Sequence, residues 1–247
     1  MTASGTSIFV QARMGSTRLR GKSLMQVWRD YTVVGMLLAR LKRCARVDRI
    51  VVAMPDSAVD DPLEAACARM GISVFRGSEA DVLGRFAEAL SRYPAQAVVR
   101  VCADNPLIDP AQIDRLVEFR QEGGFDYAYN HRPECGLPDG LGAEVVTADA
   151  LRRLAAEASE PAEREHVILR LLRKPESVRT GVLRAEPALT RPDYRLDVDY
   201  PADLKFVRRL CFELPPTSGP FWNAAEIIRV LDAQPELLAL RQKRPAA

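Results

Sequence analysis

Residues 7–22 read SIFVQARMGSTRLRGK, a buried-strand pattern that runs directly into a cationic loop. The first six residues are apolar enough to form a strand covered on both faces, as in a parallel sheet between helices. The loop that follows contains two glycines, two hydroxyl side chains and the cations Arg13, Arg18, Arg20 and Lys22. Ligands of open parallel sheets bind beyond the carboxyl ends of the strands, so this loop is placed to bind an anion.

Short apolar runs alternate with helical patterns through the first half of the chain. The runs cover residues 49–54, 73–75 and 97–102, and the helical patterns cover 33–45, 61–70, 78–93 and a segment that begins after Asp109-Pro110. This βαβαβ order predicts an α/β fold with a Rossmann-like, mainly parallel sheet and helices on both faces.

The second half of the chain is less regular. We predict strands at 125–130, 143–147 and 195–198, a Pro- and Gly-rich loop at 131–142, helices at 148–158, 162–173, 201–212 and 224–239, and a frayed end at 241–247. A single domain over 1–247 is expected, with an inserted hairpin or arm at 125–147 and a C-terminal helical extension at 213–247.

Composition excludes several classes of protein. The 35 Lys and Arg nearly balance the 33 Asp and Glu, and a net charge of +2 predicts neither a nucleic-acid partner nor a membrane surface. No stretch approaches the roughly 18 apolar residues of a membrane span. The first residues, MTASGTS, lack the cationic start of a signal peptide. Five scattered cysteines without a CxxC pair, and two histidines, disfavour a zinc site, so we expect a cytoplasmic protein.

The loop chemistry favours a polyphosphate ligand. Glycines allow close backbone approach, N–H groups donate to phosphate oxygens, and the cations neutralise charge that would otherwise repel within the loop. The alternative is a solvated basic loop without a ligand. A P-loop has the pattern GxxxxGK[ST], and one residue more than this separates Gly15 from Gly21, so we reject that motif.

Two carboxylates are candidates for a metal site. Asp104 follows the apolar run at 97–102 and precedes Asn105-Pro106, so it should lie at the same edge of the sheet as the loop. Asp197 and Asp199 alternate along an extended segment and share one side. Mg²⁺ needs only one or two carboxylates when phosphate and water complete its shell. Asp104 could instead simply form a turn before proline.

Five segments together resemble the cytidylyltransferase family, which includes CMP-sugar-acid synthetases and the SpsF-like proteins of spore-coat polysaccharide. They are QARMGSTRLRGK, FRGSEADVLGR, RVCADNPLIDP, LPDGLGAE with EREHV, and VDYPADL, in the family's order. This chain departs from the pattern at Arg20, where proline is usual, at Ala103 and Asn105 around Asp104, and at Gly84.

The resemblance implies a nucleotide-diphospho-sugar-transferase type of fold and a magnesium-dependent nucleotidyltransferase. It would join CMP from CTP to a sugar acid, release pyrophosphate and form a homodimer. The implied site residues are Lys22, Arg13 and Asp104 in catalysis; Ala12, Arg13, Gly15, Ser16, Arg18, Lys22, Arg76, Gly77 and Ser78 for the nucleotide; Asp139, Gly140, Glu144 and His166 for the acceptor; and Asp104 and Asp199 for Mg²⁺.

Two other functions stay open on the sequence. Asp197-Val198-Asp199 has the DxD form that some nucleotide-sugar-dependent glycosyltransferases use, and a catalytically inactive nucleotide-binding subunit could keep the same pocket. All of these interpretations need Lys22, Asp104 and Asp199 to meet in space.

Overall fold

The computed structural model describes residues 5–241. Its strands are β1 (Thr6–Gln11), β2 (Gln26–Trp28), β3 (Tyr31–Thr32), β4 (Arg49–Pro55), β5 (Ser73–Gly77), β6 (Ala97–Cys102), β7 (Tyr127–Tyr129), β8 (Glu144–Thr147) and β9 (Thr180–Val182). Its α-helices are α1 (Val33–Leu41), α2 (Asp61–Arg69), α3 (Val82–Arg92), α4 (Pro110–Gly123), α5 (Ala148–Glu157), α6 (Pro161–Glu165), α7 (Leu169–Arg173), α8 (Pro201–Glu213) and α9 (Ala224–Ala233).

The main sheet has seven strands in the order β5-β4-β1-β6-β8-β7-β9. Strands β5, β4, β1 and β6 are mutually parallel, and β8 runs antiparallel to both β6 and β7. The predicted mainly parallel α/β sheet is therefore confirmed. Because β1 and β6 are parallel neighbours, the loops that follow them emerge side by side at one edge of the sheet.

Apolar side chains of the strands alternate between two cores, one on each face. Ile8 and Val10 of β1 join α1, α2 and α4 on one face. Phe9 of the same strand joins α3 and α5 on the other, where its ring meets Phe86 edge to face. This alternation is what a strand buried on both faces requires.

A third apolar cluster joins the C-terminal extension to the rest of the molecule. It combines the β2–β3 hairpin with α8, α9 and the segment around Val198. Trp222 is fully buried at its centre, and its ring lies 5.1 Å from that of Trp28 in an edge-to-face contact. In the part of the chain that is described, no helix has the length and apolar character needed to cross a bilayer.

The segment 125–147 forms part of the main sheet. Its strands β7 and β8 pair with each other, and β8 also pairs with β6. The connection between them is largely buried, with Cys135, Leu137 and Leu141 in the apolar clusters.

Several predicted element boundaries are corrected. Helix α3 begins at Val82, because Asp81 caps it while Ser78 accepts a hydrogen bond from the Asp81 amide in the preceding turn. The helix predicted over 162–173 is divided into α6 and α7 at an extended His166.

The strand predicted over 195–198 is reduced to one bridge, between Asp139 and Arg195. Its backbone bonds to two separate segments, since Leu196 N donates to Asp139 O and Val198 N donates to Asp104 O. Arg241 was expected to fray, but its guanidinium is anchored on Asp197 and Asp203. The rest of that predicted frayed end, 242–247, lies outside the described residues.

Candidate active site

Lys22, Asp104 and Asp199 meet at one point beyond the carboxyl ends of β1 and β6. The Lys22 Nζ donates to Asp104 Oδ2 at 2.8 Å, to Asp199 Oδ1 at 2.7 Å and to the Val198 carbonyl at 2.8 Å. The sequence places these residues far apart, and the strand order brings them together. The convergence on which every functional interpretation depends is present.

The three charges at this point hold one another in place. Burial works against the charged form of Lys22, but the attraction of Asp104 and Asp199 outweighs it and raises the pKa of Lys22 above its ordinary value. Arg18 adds a second cation, with its guanidinium 2.8 Å from Asp199 Oδ2. Lys22 is therefore a permanently charged group at the centre of the site.

The cationic loop is held by hydrogen bonds within the loop and by one bond to a neighbouring connection. Gly21 has φ +70° and donates from its N–H to the Met14 carbonyl at 3.1 Å, which closes the loop. Ser16 Oγ accepts from Leu19 N at 3.4 Å. Asp60, between β4 and α2, accepts from Met14 N at 2.7 Å. No sequence motif indicated Asp60, although its position beyond the carboxyl end of β4 is a signal for this edge of the sheet.

A cleft of about 820 Å³ opens over this loop. The predicted residues that line it are Ala12, Arg13, Ser16, Arg18, Lys22, Asp104, Asp199 and His166. Gly15 is exposed, and a Cβ at this position would face the Glu79 side chain. Arg20, the residue at the usual proline position, is also exposed.

Arg85 is a cleft residue that was not among the predicted site residues. Its side chain is buried in α3, donates to the Ser78 carbonyl and lines the large cleft. Burial and the nearby Arg13 lower the pKa of Arg85. Its Nε is buried and forms no hydrogen bond within residues 5–241. The final Arg of the FRGSEADVLGR segment was the available signal for this residue.

Arg76 is not brought into the cleft, which corrects its predicted contact with the nucleotide. Its guanidinium instead bonds to Asp61 at 2.8 Å and Glu64 at 2.6 Å. Neighbouring side chains of a strand point to opposite faces, and Phe75 packs on the α3 side, so Arg76 faces α2. Gly77 and Ser78 do not line the cleft, although the nearby Glu79, Ala80 and Val82 do.

A smaller cleft of about 200 Å³ adjoins the large one, and Cys102, Asp104 and Asp199 line both. Two predicted acceptor residues, Asp139 and Glu144, line the smaller cleft. His166 does not join them, because it lines the large cleft and not the smaller one.

Gly140 does not itself line the smaller cleft, but it lets two segments that do line it pass close together. It has φ +94°, and a Cβ at this position would lie 3.1 Å from the Asp197 amide nitrogen, so glycine permits the close passage of the two backbones. This passage brings Asp139 beside Arg195 and Asp197. Burial, and then the proximity of Asp197, raise the pKa of Asp139 to about 6.

Glu144 belongs to a buried hydrogen-bond network. It accepts from Arg100 at 2.6 Å and from the Tyr127 hydroxyl at 2.7 Å. Arg100 also donates to Gln11 Oε1, which ties β6 to β1. Burial acts to raise the pKa of Glu144, but Arg100 outweighs it and the pKa lies below its ordinary value. Glu144 is a charged and fully engaged residue.

The donor set at the junction of the clefts fits a small oxygen-seeking cation. Asp104 and Asp199 can turn one carboxylate oxygen each toward a common point, as both now do toward the Lys22 Nζ. Within residues 5–241 there is no cluster of three His, Cys, Asp or Glu side chains that could enclose a metal ion. Two carboxylates suit Mg²⁺ bound together with a polyphosphate better than a metal held by protein ligands alone.

Comparisons with known proteins show which family this chain is similar to. The chain is 33% identical to the spore coat polysaccharide biosynthesis protein SpsF of Bacillus subtilis (strain 168), over 94% of this chain and 96% of that protein. A cytidylyltransferase of Leptospira borgpetersenii serovar Hardjo-bovis (strain JB197) superimposes with a TM-score of 0.87 at 26% identity, covering 99% of this chain and 100% of that one.

The fold also matches a more distant enzyme. CMP:2-keto-3-deoxy-manno-octonic acid synthetase, solved in complex with CTP, superimposes with a TM-score of 0.62 at 20% identity, over 83% of this chain and 98% of that one. The family model described as cytidylyltransferase matches residues 7–233. This chain belongs to the cytidylyltransferase family.

Proposed function

We propose that this protein transfers CMP from CTP to a sugar acid and releases pyrophosphate, with Mg²⁺ as cofactor. The observation that carries the proposal is the position of Lys22, Asp104 and Asp199 at the junction of two clefts. A transferase needs its charged groups between donor and acceptor. Asp104 and Asp199 line both clefts, and Lys22, which lines the large one, is bonded to both aspartates.

The large cleft suits the nucleotide. Arg13, Arg18 and Lys22 line it from the cationic loop and supply the charge to bind a triphosphate. Arg85 adds a buried guanidinium on the α3 side. Cytosine as the base is proposed from the family and from the CTP complex of the structural relative.

Asp104 and Asp199 would hold Mg²⁺ between the two clefts. The ion would neutralise phosphate oxygens as negative charge shifts toward the leaving pyrophosphate. The protein itself holds the two carboxylates in fixed positions. It does so by fixing Asp104 after β6 and by bonding Asp203 Oδ2 to the Asp199 and Tyr200 amides, at 3.0 and 2.9 Å.

The smaller cleft suits the acceptor. A sugar acid bound there would have a hydroxyl next to the aspartates, facing the α-phosphate of a nucleotide in the large cleft. Positioning and charge neutralisation can supply most of the acceleration of such a phosphate transfer, so no covalent enzyme intermediate is required. We also propose that the protein forms a homodimer, on the basis of its family.

The test is pyrophosphate release with each of four nucleoside triphosphates, Mg²⁺ and a panel of sugar acids that includes 2-keto-3-deoxy-manno-octonic acid. We expect release with CTP and at least one acid. Asp104→Asn should lower kcat by about 100-fold or more, since it removes a charge that acts in the transition state. Its affinity for CTP without metal should change little.

Asp149→Asn is the matched control, because the Asp149 side chain is 87% exposed and lines neither cleft. Wild-type turnover in Asp104→Asn would refute the role of Asp104. The same assay separates the proposed activity from both alternatives, because neither glycosyl transfer from a nucleotide sugar nor an inactive subunit releases pyrophosphate.

A further inference from the structure

We infer that Arg195 binds the carboxylate of the sugar acid and so selects acids over neutral sugars. This inference rests on the proposed function and adds a specificity-determining residue to it. No sequence motif pointed to Arg195, and the inference depends on its place in the clefts and on its partners.

Arg195 lies where the acceptor would bind. It lines the smaller cleft together with Asp104 and Asp199. It also lines an adjoining cavity of about 340 Å³, which shares His131, Asp139 and Arg195 with the smaller cleft. Its side chain, 37% exposed, therefore stands between the two spaces and is accessible from both.

The guanidinium of Arg195 is held loosely. Its distances to the nearest carboxylate oxygens are 3.4 Å for Asp139 and 3.5 Å for Asp197, longer than a well-formed charged hydrogen bond. Its Nε, the atom 3.4 Å from Asp139 Oδ2, is buried and makes no well-formed hydrogen bond among the described residues. A planar guanidinium in this state has donors available for a second carboxylate.

Arg100, the other arginine of the smaller cleft, is fully engaged. It donates to Gln11 at 3.1 and 2.8 Å and to Glu144 at 2.6 Å. A ligand carboxylate could take Arg100 only by leaving Glu144, which is buried, without its cation. Arg195 is therefore the more available anion-binding group of this cleft.

Neighbouring groups allow Arg195 to change partners. Asp197 already has a second cation, because Arg241 approaches its Oδ1 at 3.1 Å. Asp139 would lose Arg195 to the ligand and could then accept a hydrogen bond from a sugar hydroxyl. The backbone of Arg195 stays fixed meanwhile, because it bridges to Asp139 and its carbonyl accepts from Arg241.

The test compares acids with their primary amides, which have the same shape but no charge. The probes are 2-keto-3-deoxy-manno-octonic, glucuronic and galacturonic acids. For each pair, kcat/KM is measured by CTP-dependent pyrophosphate release, and binding without CTP is measured by ligand-observed NMR. The proteins are wild type, Arg195→Met, Arg195→Lys and the control Arg191→Met. Arg191 has a similar exposure, 36%, but pairs with Asp232 outside both cavities.

We expect wild type and Arg191→Met to prefer the acid by about 10- to 100-fold, the range of one charge-assisted contact. Arg195→Met should lose this preference, and Arg195→Lys should keep part of it. CTP affinity should be the same in all four proteins.

The inference is overturned if wild type treats acid and amide alike, if Arg195→Met keeps the preference, or if no acid of the panel binds wild type. If Arg195→Met does not fold, Arg195→Lys supplies the comparison, and equal treatment of acid and amide by wild type still overturns the inference. Binding of an acid at Arg195 without pyrophosphate release under any condition would count against the proposed function alone.

Discussion

A single ammonium group joins the two halves of the site. Lys22 comes from the first loop of the chain, and its Nζ contacts carboxylates that come from the middle and from near the end. The side chains of Asp104 and Asp199 are only 25% and 9% exposed. Besides attracting phosphate, the Lys22 charge keeps these two largely buried carboxylates close together.

We expect Lys22→Met to weaken CTP binding by about 10- to 100-fold, because a charge-assisted contact to the triphosphate is lost and two carboxylates are left to repel it. Isothermal titration with CTP measures this. Lys42→Met is the control, since the Lys42 Nζ donates to the Met70 carbonyl on the surface. A Lys22→Met protein that binds CTP as tightly as wild type would remove Lys22 from the nucleotide site.

The charged centre of the site was predictable from the sequence, and much of its surroundings was not. Asp104 stands where its residue type and a strand end coincide, and Lys22 and Asp199 stand in segments that resemble those of the family. Arg76 was assigned to the nucleotide because it stands in a matching segment, but strand alternation directs it to Asp61 and Glu64. Which cation of a segment faces a cleft depends on this alternation, and motif resemblance does not report it.

The cationic loop and Asp60, the residue that holds it, form one structural unit. Asp60 holds the loop from the β4–α2 connection by accepting from the Met14 amide. Burial, the largest effect, raises the pKa of Asp60 and the bond from Met14 acts to lower it. The loop is thus ordered by contacts that do not involve the nucleotide.

We expect Asp60→Ala to raise the KM for CTP by about 10-fold with a smaller change in kcat, since the loop must then be ordered at the cost of binding energy. Steady-state kinetics with varied CTP measure the two constants separately. Asp61→Ala is the matched control, because Asp61 is the next residue, is 62% exposed and pairs with Arg76. An unchanged KM in Asp60→Ala would show that the loop is ordered without this bond.

The elements themselves were predictable where the pattern is repeated over several residues. β1, β4 and β6 are recognisable as apolar runs, and Asp109 marks the start of α4 as its cap. The segment 195–198 looks like a strand but pairs with two different partners, Asp139 and Asp104, over successive residues. Local alternation cannot reveal whether the partner of a segment is one strand or several loops.

At the scale of the whole molecule, the C-terminal extension supports the site. Arg241 approaches Asp197 at 3.1 Å and Asp203 at 3.0 Å with its side chain only 9% exposed. Asp203 in turn accepts from the Asp199 amide at 3.0 Å. One end of the chain is therefore connected to a metal-site candidate through two side chains.

We expect Arg241→Ala to lower the free energy of unfolding by about 3 kcal/mol, because it leaves buried carboxylates without their cation. It should also reduce kcat, since Asp199 loses part of its support. Urea denaturation followed by circular dichroism measures the stability. Arg229→Ala, which changes an exposed arginine of α9, is the control. Equal stability of Arg241→Ala and wild type would show that these ion pairs contribute nothing net.

This connection was not predictable, and the tail was expected to fray. The short polar and basic end offers no periodic pattern, and the residues that hold Arg241 lie far earlier in the chain. Only the position of the third apolar cluster, which carries α9 back toward α8, brings Arg241 to them.

The third apolar cluster also determines what tryptophan fluorescence reports about this protein. Its two tryptophans, Trp28 and Trp222, are in contact with each other, and the chain contains no others. Fluorescence excited selectively at tryptophan therefore comes wholly from the contact between the C-terminal extension and the β2–β3 hairpin. The seven-stranded sheet contributes none of it. Emission and ellipticity recorded on one sample would separate release of the extension from collapse of the sheet, without any added dye.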